Sequence, residues 1–162
     1  MDRITHPFRP IYNEDSQILI LGSFPSVKSR EGEFFYHHPQ NRFWKVISAV
    51  YRDQLPVSIE EKKELLLRNG VAVWDVIKSC EITGSSDNSI KNVIPNDLSE
   101  ILKTANIKRI FANGSTAYQL YMRYIFPKVG RDIIKLPSTS PANAACNVDR
   151  LLEDWYYIRK IT

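Results

Sequence analysis

Cysteine is scarce in this 162-residue chain: Cys80 and Cys146 are the only two. They are too few for a four-cysteine zinc or iron–sulfur site, and their separation fits no metal-ligand spacing. A reduced, cytoplasmic setting is expected, with no metal or other cofactor. No run approaches the ~18 consecutive apolar residues of a membrane span, so no membrane partner is expected. Met1–Pro10 lacks the apolar core of a secretion signal. The chain also has no phosphate-binding glycine loop, no Gly-x-Gly-x-x-Gly, and no Ser-His-Asp order with a nucleophile elbow. A site here must be built from amides, hydroxyls, a carboxylate and aromatic rings.

The rest of the composition is ordinary for a folded protein, 43% apolar and 25% charged. Its length predicts a single domain over residues 1–162, large enough for a real core. Lys and Arg outnumber Asp and Glu by 22 to 18. That balance permits a polyanionic partner without requiring one.

The apolar run Ile18–Leu21 reads as a buried strand, broken at once by Gly22 and Pro25. A polar loop over 22–40 carries Phe34, Phe35 and Tyr36, and a helix begins near Asn41. Phe43, Trp44, Ile47, Val50 and Tyr51 recur there at helical spacing. Ser58 and Glu61 form a capping box for a second helix that ends at Gly70. Val71–Ile77 is the second strand, interrupted by Asp75. Residues 78–92 read as a polar loop. A helix capped by Asn96 or Asp97 runs to about Thr104, then come a strand over Lys108–Ala112 and a helix from Ser115 to before Pro127. The fourth strand is Asp132–Leu136, followed by the Pro-interrupted loop 137–144 and a last helix capped by Asn147. Residues 1–16 are expected to wrap the surface. The alternation predicts an α/β fold, a three-layer α/β/α sandwich around a four-stranded parallel sheet.

Ligands of parallel sheets bind beyond the C-terminal ends of the strands. Those ends carry Gly22 to Ser26, Asp75, Asn113 with Gly114, and Ser138 to Asn143. Each residue also has a plain structural reading. Asn41 is a good helix N-cap, Tyr36 could be core, Asp75 could cap a turn, and His6 and His37 read as surface residues.

Four motifs occur in order: Gly22-Ser-Phe-Pro-Ser26, Tyr36-His-His-Pro-Gln-Asn-Arg-Phe-Trp44, Trp74-Asp-Val-Ile-Lys-Ser-Cys80 with Gly84-Ser-Ser-Asp-Asn-Ser-Ile90, and Leu136-Pro-Ser-Thr-Ser-Pro-Ala-Asn143. Together they resemble the uracil-DNA glycosylase superfamily, and most closely its hypoxanthine-DNA (deoxyinosine) glycosylase branch. The resemblance implies a monofunctional base-excision enzyme that flips a deaminated base from DNA and hydrolyses its N-glycosidic bond, without metal or covalent nucleophile. DNA containing deaminated bases is the implied partner. The implied state is a monomer, cytoplasmic and nucleoid-associated when acting on DNA. Asn41 is the implied water-positioning residue, because the first motif has Phe24 where the mismatch-specific uracil branch has an asparagine. Tyr36, Asp75, Gly22, Ser23 and Phe24 are the implied base-binding residues, Tyr36 by stacking and Asp75 by accepting a ring N–H. Ser138, Thr139, Ser140, Pro141, Asn143 and Lys28 are the implied DNA contacts, with Arg30 and Lys91 as further phosphate partners. The alternatives are a mismatch-type uracil-DNA glycosylase and a non-catalytic lesion-binding module on the same fold.

Overall fold

The computed structural model describes residues 3–162. In chain order the elements are β1 (Arg3–Thr5), β2 (Ile18–Gly22), α1 (Val27–Gly32), α2 (Phe43–Val50), α3 (Ile59–Arg68), β3 (Val71–Asp75), β4 (Ile77–Glu81), a 3₁₀ turn (Asp87–Ser89) and β5 (Lys91–Pro95). There follow α4 (Ser99–Thr104), β6 (Arg109–Asn113), α5 (Ser115–Tyr124), α6 (Phe126–Val129), β7 (Ile133–Leu136), α7 (Val148–Trp155) and α8 (Tyr157–Ile161). No helix among the described residues is long and apolar enough to cross a membrane.

The expected four-stranded sheet is present, ordered β3-β2-β6-β7 and parallel throughout. Every residue of β2 and β3 is buried, as strands covered by helices on both faces must be. Local sequence signals also set several helix ends. Ser58 Oγ accepts from Glu61 N–H at 3.1 Å, and Asn147 Oδ1 accepts from Arg150 N–H at 2.9 Å. Asp97 Oδ1 accepts from Ser99 N–H at 2.9 Å.

Two expectations are corrected. Residues 78–92 are not simply a loop: β4 and β5 pair antiparallel, and with β1 they make a second, three-stranded sheet, β1-β4-β5. Most of this hairpin is polar or exposed, so it carried no strong apolar period. Residues 1–16 likewise do more than wrap the surface. Arg3–Thr5 form the edge strand β1, and Ile11 exchanges backbone hydrogen bonds of 3.0 and 2.9 Å with Val73. These pairings join residues distant in sequence, which a local reading does not register.

The second strand of the sequence reading therefore splits between two sheets. The chain leaves the parallel sheet at Asp75 and enters the antiparallel one at Ile77. The crossing is fixed by Val76 N–H to Gly22 O at 2.8 Å and Ile77 N–H to Ser23 O at 3.1 Å. Behind it, buried Asn96 donates from Nδ2 to the carbonyls of Asp75 and Ile77, at 2.9 and 3.1 Å. Asp75 thus sits on a backbone held from both sides.

Candidate active site

Three of the four parallel strands end on a polar or glycine residue, Gly22, Asp75 and Asn113, the loop after β7 adds Ser138 and Thr139, and most of these groups join one chain of contacts. At one end, Asp75 is 4% exposed, and its Oδ2 lies 2.7 Å from His6 Nε2. Its Oδ1 faces Gly22: a Cβ built there would stand 2.4 Å from Oδ1 and 3.0 Å from Tyr36 Oη. Only glycine lets the carboxylate and the phenol approach β2 so closely. The Tyr36 hydroxyl is buried and makes no hydrogen bond among the described residues. Burial, and then the Asp75 charge, hold its proton far above the ordinary tyrosine range, while the Asn113 amide pulls the other way.

The other end is a closed amide–hydroxyl network. Asn113 Nδ2 donates to Thr139 Oγ1 at 3.0 Å, and Asn113 Oδ1 accepts from Thr139 N–H at 3.0 Å. Thr139 Oγ1 donates in turn to Asn41 Oδ1 at 2.9 Å. Asn41 Oδ1 also accepts from Phe43 N–H at 2.9 Å, from one residue before the expected cap, since Arg42 holds the N-cap position of α2. A carbonyl oxygen has two lone pairs, and both are used. Asn41 is therefore left with Nδ2, a double donor, to offer a ligand. Thr139 is wholly buried and stands behind the loop, not on its solvent face.

Tyr36 has φ of +50°, a left-handed conformation that a bulky residue seldom adopts. Its ring stacks on Phe43 with centroids 4.1 Å apart and planes at 22°, and Trp44 Nε1 donates to its carbonyl at 3.2 Å. One ring face is thus covered and the residue is only half-buried. Phe24 lies under the Arg30 guanidinium at 5.7 Å. Arg30 also donates to the carbonyls of Pro25 at 2.9 Å and Gly84 at 3.1 Å, which fastens the first loop to the tip of the β4–β5 hairpin. Ser23 Oγ donates to Asp87 Oδ1 at 3.3 Å across the same gap. Burial raises the Asp87 carboxyl, and hydrogen bonds from Thr116 and Ser23 oppose the rise. Lys28 is exposed on α1 and, among the described residues, reaches only Glu31, at 3.8 Å. Beside Asp87 an open cleft of about 600 Å³ runs between Lys91 on β5 and Arg123 on α5.

Ser138, Ser140, Pro141 and Asn143 form a tight loop at the end of β7. Ser138 Oγ accepts from Ser140 N–H at 3.1 Å, and Asn143 Nδ2 donates to Ser138 O at 3.0 Å. Arg42 clamps this loop. Its guanidinium donates to the carbonyls of Thr139 (3.2 Å), Ser140 (2.7 Å), Asn143 (3.1 Å) and Cys146. Arg42→Met keeps the apolar stem and removes these charged donors. We expect it to cost about 2–3 kcal/mol in denaturant unfolding and to open residues 138–146 to limited proteolysis. Unchanged stability and cleavage would show that the carbonyls are as well served by water.

The structure thus brings Asn41, Tyr36, Asp75 and Gly22 into one connected group and leaves Lys28 outside it. The sequence reading missed His6, Arg42 and the role of Asn113. Arg42 had a signal, its place inside the second motif. His6 had none, since its partner lies 69 positions away. Placed on the surface by the sequence reading, its side chain is only 2% exposed, because four aromatic rings enclose it. No group of three or more His, Cys, Asp or Glu among the described residues is placed to hold a metal.

Comparison with known proteins gives concordant results. The sequence model of the uracil DNA glycosylase superfamily matches residues 9–158. A Methanosarcina barkeri protein named hypoxanthine DNA glycosylase is 33% identical over 140 residues, 84% of this chain and 86% of that protein. A protein of the same name from Methanosarcina acetivorans is 31% identical over 151 residues, 91% and 93% of the two chains. The solution NMR structure of a Methanosarcina acetivorans protein, described as a candidate uracil DNA glycosylase, superposes with a TM-score of 0.80. It shares 30% identity and covers 94% of each chain.

Proposed function

The chain belongs to the uracil DNA glycosylase superfamily, and on that premise we propose that it excises hypoxanthine from DNA as a monofunctional N-glycosylase. The observation that carries this reading is the Asp75 carboxylate at the end of β3. One oxygen is engaged by His6, and the other receives no hydrogen bond from a described residue. A carboxylate only accepts, so it pairs with the ring N–H that deamination creates. Hypoxanthine presents N1–H and uracil N3–H at that edge. Adenine and cytosine present a lone pair there, which a carboxylate repels. The names of the two relatives favour hypoxanthine as the first substrate.

On this reading the extruded base lies on the Tyr36 face turned away from Phe43. Extrusion costs a few kcal/mol, least for a poorly paired base. The C1′–N9 bond breaks with its electron pair going to the base, which leaves as an anion. A water oxygen then adds to C1′ of the oxocarbenium-like sugar and releases its proton to solvent. Asn41 Nδ2 grips that water by one lone pair and leaves the other for C1′. Gly22, Ser23 and Phe24 shape the base side of the site. Ser138, Ser140, Pro141, Asn143 and Lys28 face the DNA strand, and Thr139 supports them from inside. The group comes from one chain, so a single copy suffices.

The test is cleavage of matched duplexes containing inosine, uracil or neither, followed by alkaline scission of the abasic product. We expect the inosine strand to be cut fastest. Cutting of the uracil strand alone would reverse the substrate assignment. Salt-sensitive duplex binding with no abasic product would make the protein a lesion-binding module.

A further inference from the structure

We infer that His6 is a specificity-positioning residue: its Nε2–H holds the Asp75 carboxylate in orientation through Oδ2, so that Oδ1 takes a lactam N–H and turns away the lone pair of an aminated base. The inference rests on the reading of Asp75 as the base-reading group. His6 belongs to none of the motifs that carry the family resemblance, and it reaches the site from the N-terminal segment.

The ring is fixed on every side. His6 N–H donates to Lys78 O at 2.7 Å, which extends the β1–β4 pairing to this residue. The imidazole sits 4.5 Å from the rings of both Phe8 and Trp74, and about 6 Å from Phe24 and Phe35. Phe8 N–H donates to His6 Nδ1 at 3.4 Å. Nδ1 is therefore the acceptor nitrogen, and the proton of the neutral ring belongs on Nε2. That proton points at Asp75 Oδ2, 2.7 Å away.

The side chains of the pair are 2% and 5% exposed, so little water is available to hydrate the carboxylate. The other titratable group facing Asp75 is the Tyr36 hydroxyl, which makes no hydrogen bond to it. Among the described residues, His6 is thus the only side-chain donor that Asp75 has. Without it nothing fixes the rotamer of the carboxylate, and Oδ1 need no longer face the base as an acceptor. Discrimination between deaminated and normal bases would then narrow.

Two variants of the full chain test this. His6→Phe fills the aromatic cage and removes the donor. His6→Gln places an amide N–H near the position of the imidazole Nε2. The readout is single-turnover excision from inosine and adenine duplexes. His6→Phe should lose about 10–100-fold on inosine. Its inosine-over-adenine ratio should fall. His6→Gln should restore the inosine rate to within about threefold of the wild type, with the wild-type ratio. A folded His6→Phe with the wild-type rate and ratio would overturn the inference. Nitrogen NMR of the unmodified protein gives an answer even if His6→Phe does not fold. A bare Nε2 with the proton on Nδ1 would also overturn it. An Asp75→Asn control separates the layers. If that variant excises normally, the base-reading assignment fails; if it is impaired while His6→Phe is not, only the role of His6 fails.

Discussion

Asn41→Ala should lower single-turnover excision of hypoxanthine by about 10²–10³-fold, the loss that follows removal of one positioned donor from a hydrolytic site. The fold should survive. The variant also deletes the acceptor for Phe43 N–H at the start of α2, which costs about 1 kcal/mol as a lost hydrogen bond. That lowers the melting temperature by about 2–4 °C in a chain of this size. Asn41→Asp is the sharper variant. It keeps acceptors for Phe43 and Thr139 but replaces the free Nδ2 donor with oxygen. If Asn41 acts through its donor, Asn41→Asp is as inactive as Asn41→Ala while its melting temperature stays near the wild type. Retained or improved activity would mean that an acceptor polarises the water, and the network drawn through Thr139 would then have the wrong polarity. Rates from burst-free single-turnover experiments, with melting followed in parallel, separate these outcomes.

Asp75→Asn should reverse the hydrogen-bond sense of the base edge. His6 Nε2–H stays in place, because Phe8 N–H occupies Nδ1. The introduced amide must therefore turn its oxygen to His6 and its NH₂ toward Gly22 and the base. Two donors would then meet, that NH₂ group and N1–H of hypoxanthine. A site that leaves a substrate N–H unpaired can lose about 10⁴-fold in discrimination. Partial solvation at this edge makes about 10²–10³-fold on inosine the expected loss. Uracil, which also presents a ring N–H, should fall in parallel. A drop for one lesion and not the other would show that the two bases are read by different groups. Competition assays with mixed inosine and uracil duplexes measure both in one reaction.

The family motifs were legible as short strings because each encodes a local backbone event. Gly22 and Pro25 end a strand, Asn41 precedes a helix, and Pro137 and Pro141 break the last loop. The parallel sheet was legible for the same reason: β2 and β3 are runs of four apolar residues, closed by Gly22 and Asp75 and buried throughout. The second sheet was not. β4 sets the exposed Lys78 and the polar Ser79 and Glu81 among its apolar residues, and its partner β1 is a three-residue strand of Arg3, Ile4 and Thr5. Neither has the apolar weight that marks a strand without its neighbour. Arg42 illustrates a middle case. It stands in a motif, but its carbonyl partners lie about a hundred positions on, so its work as a loop clamp could not be inferred from its neighbours.

The order of residues by itself settled the α/β class and named the strand-end side chains to be considered, since periodicity and turn chemistry act over a few residues. The three-dimensional arrangement alone decided which atoms those side chains present. Asn41 is reduced to a donor by Thr139, and Asp75 is tied to His6, because a hydrogen bond depends on angstrom-scale placement of groups that the chain separates by 69 and 98 positions.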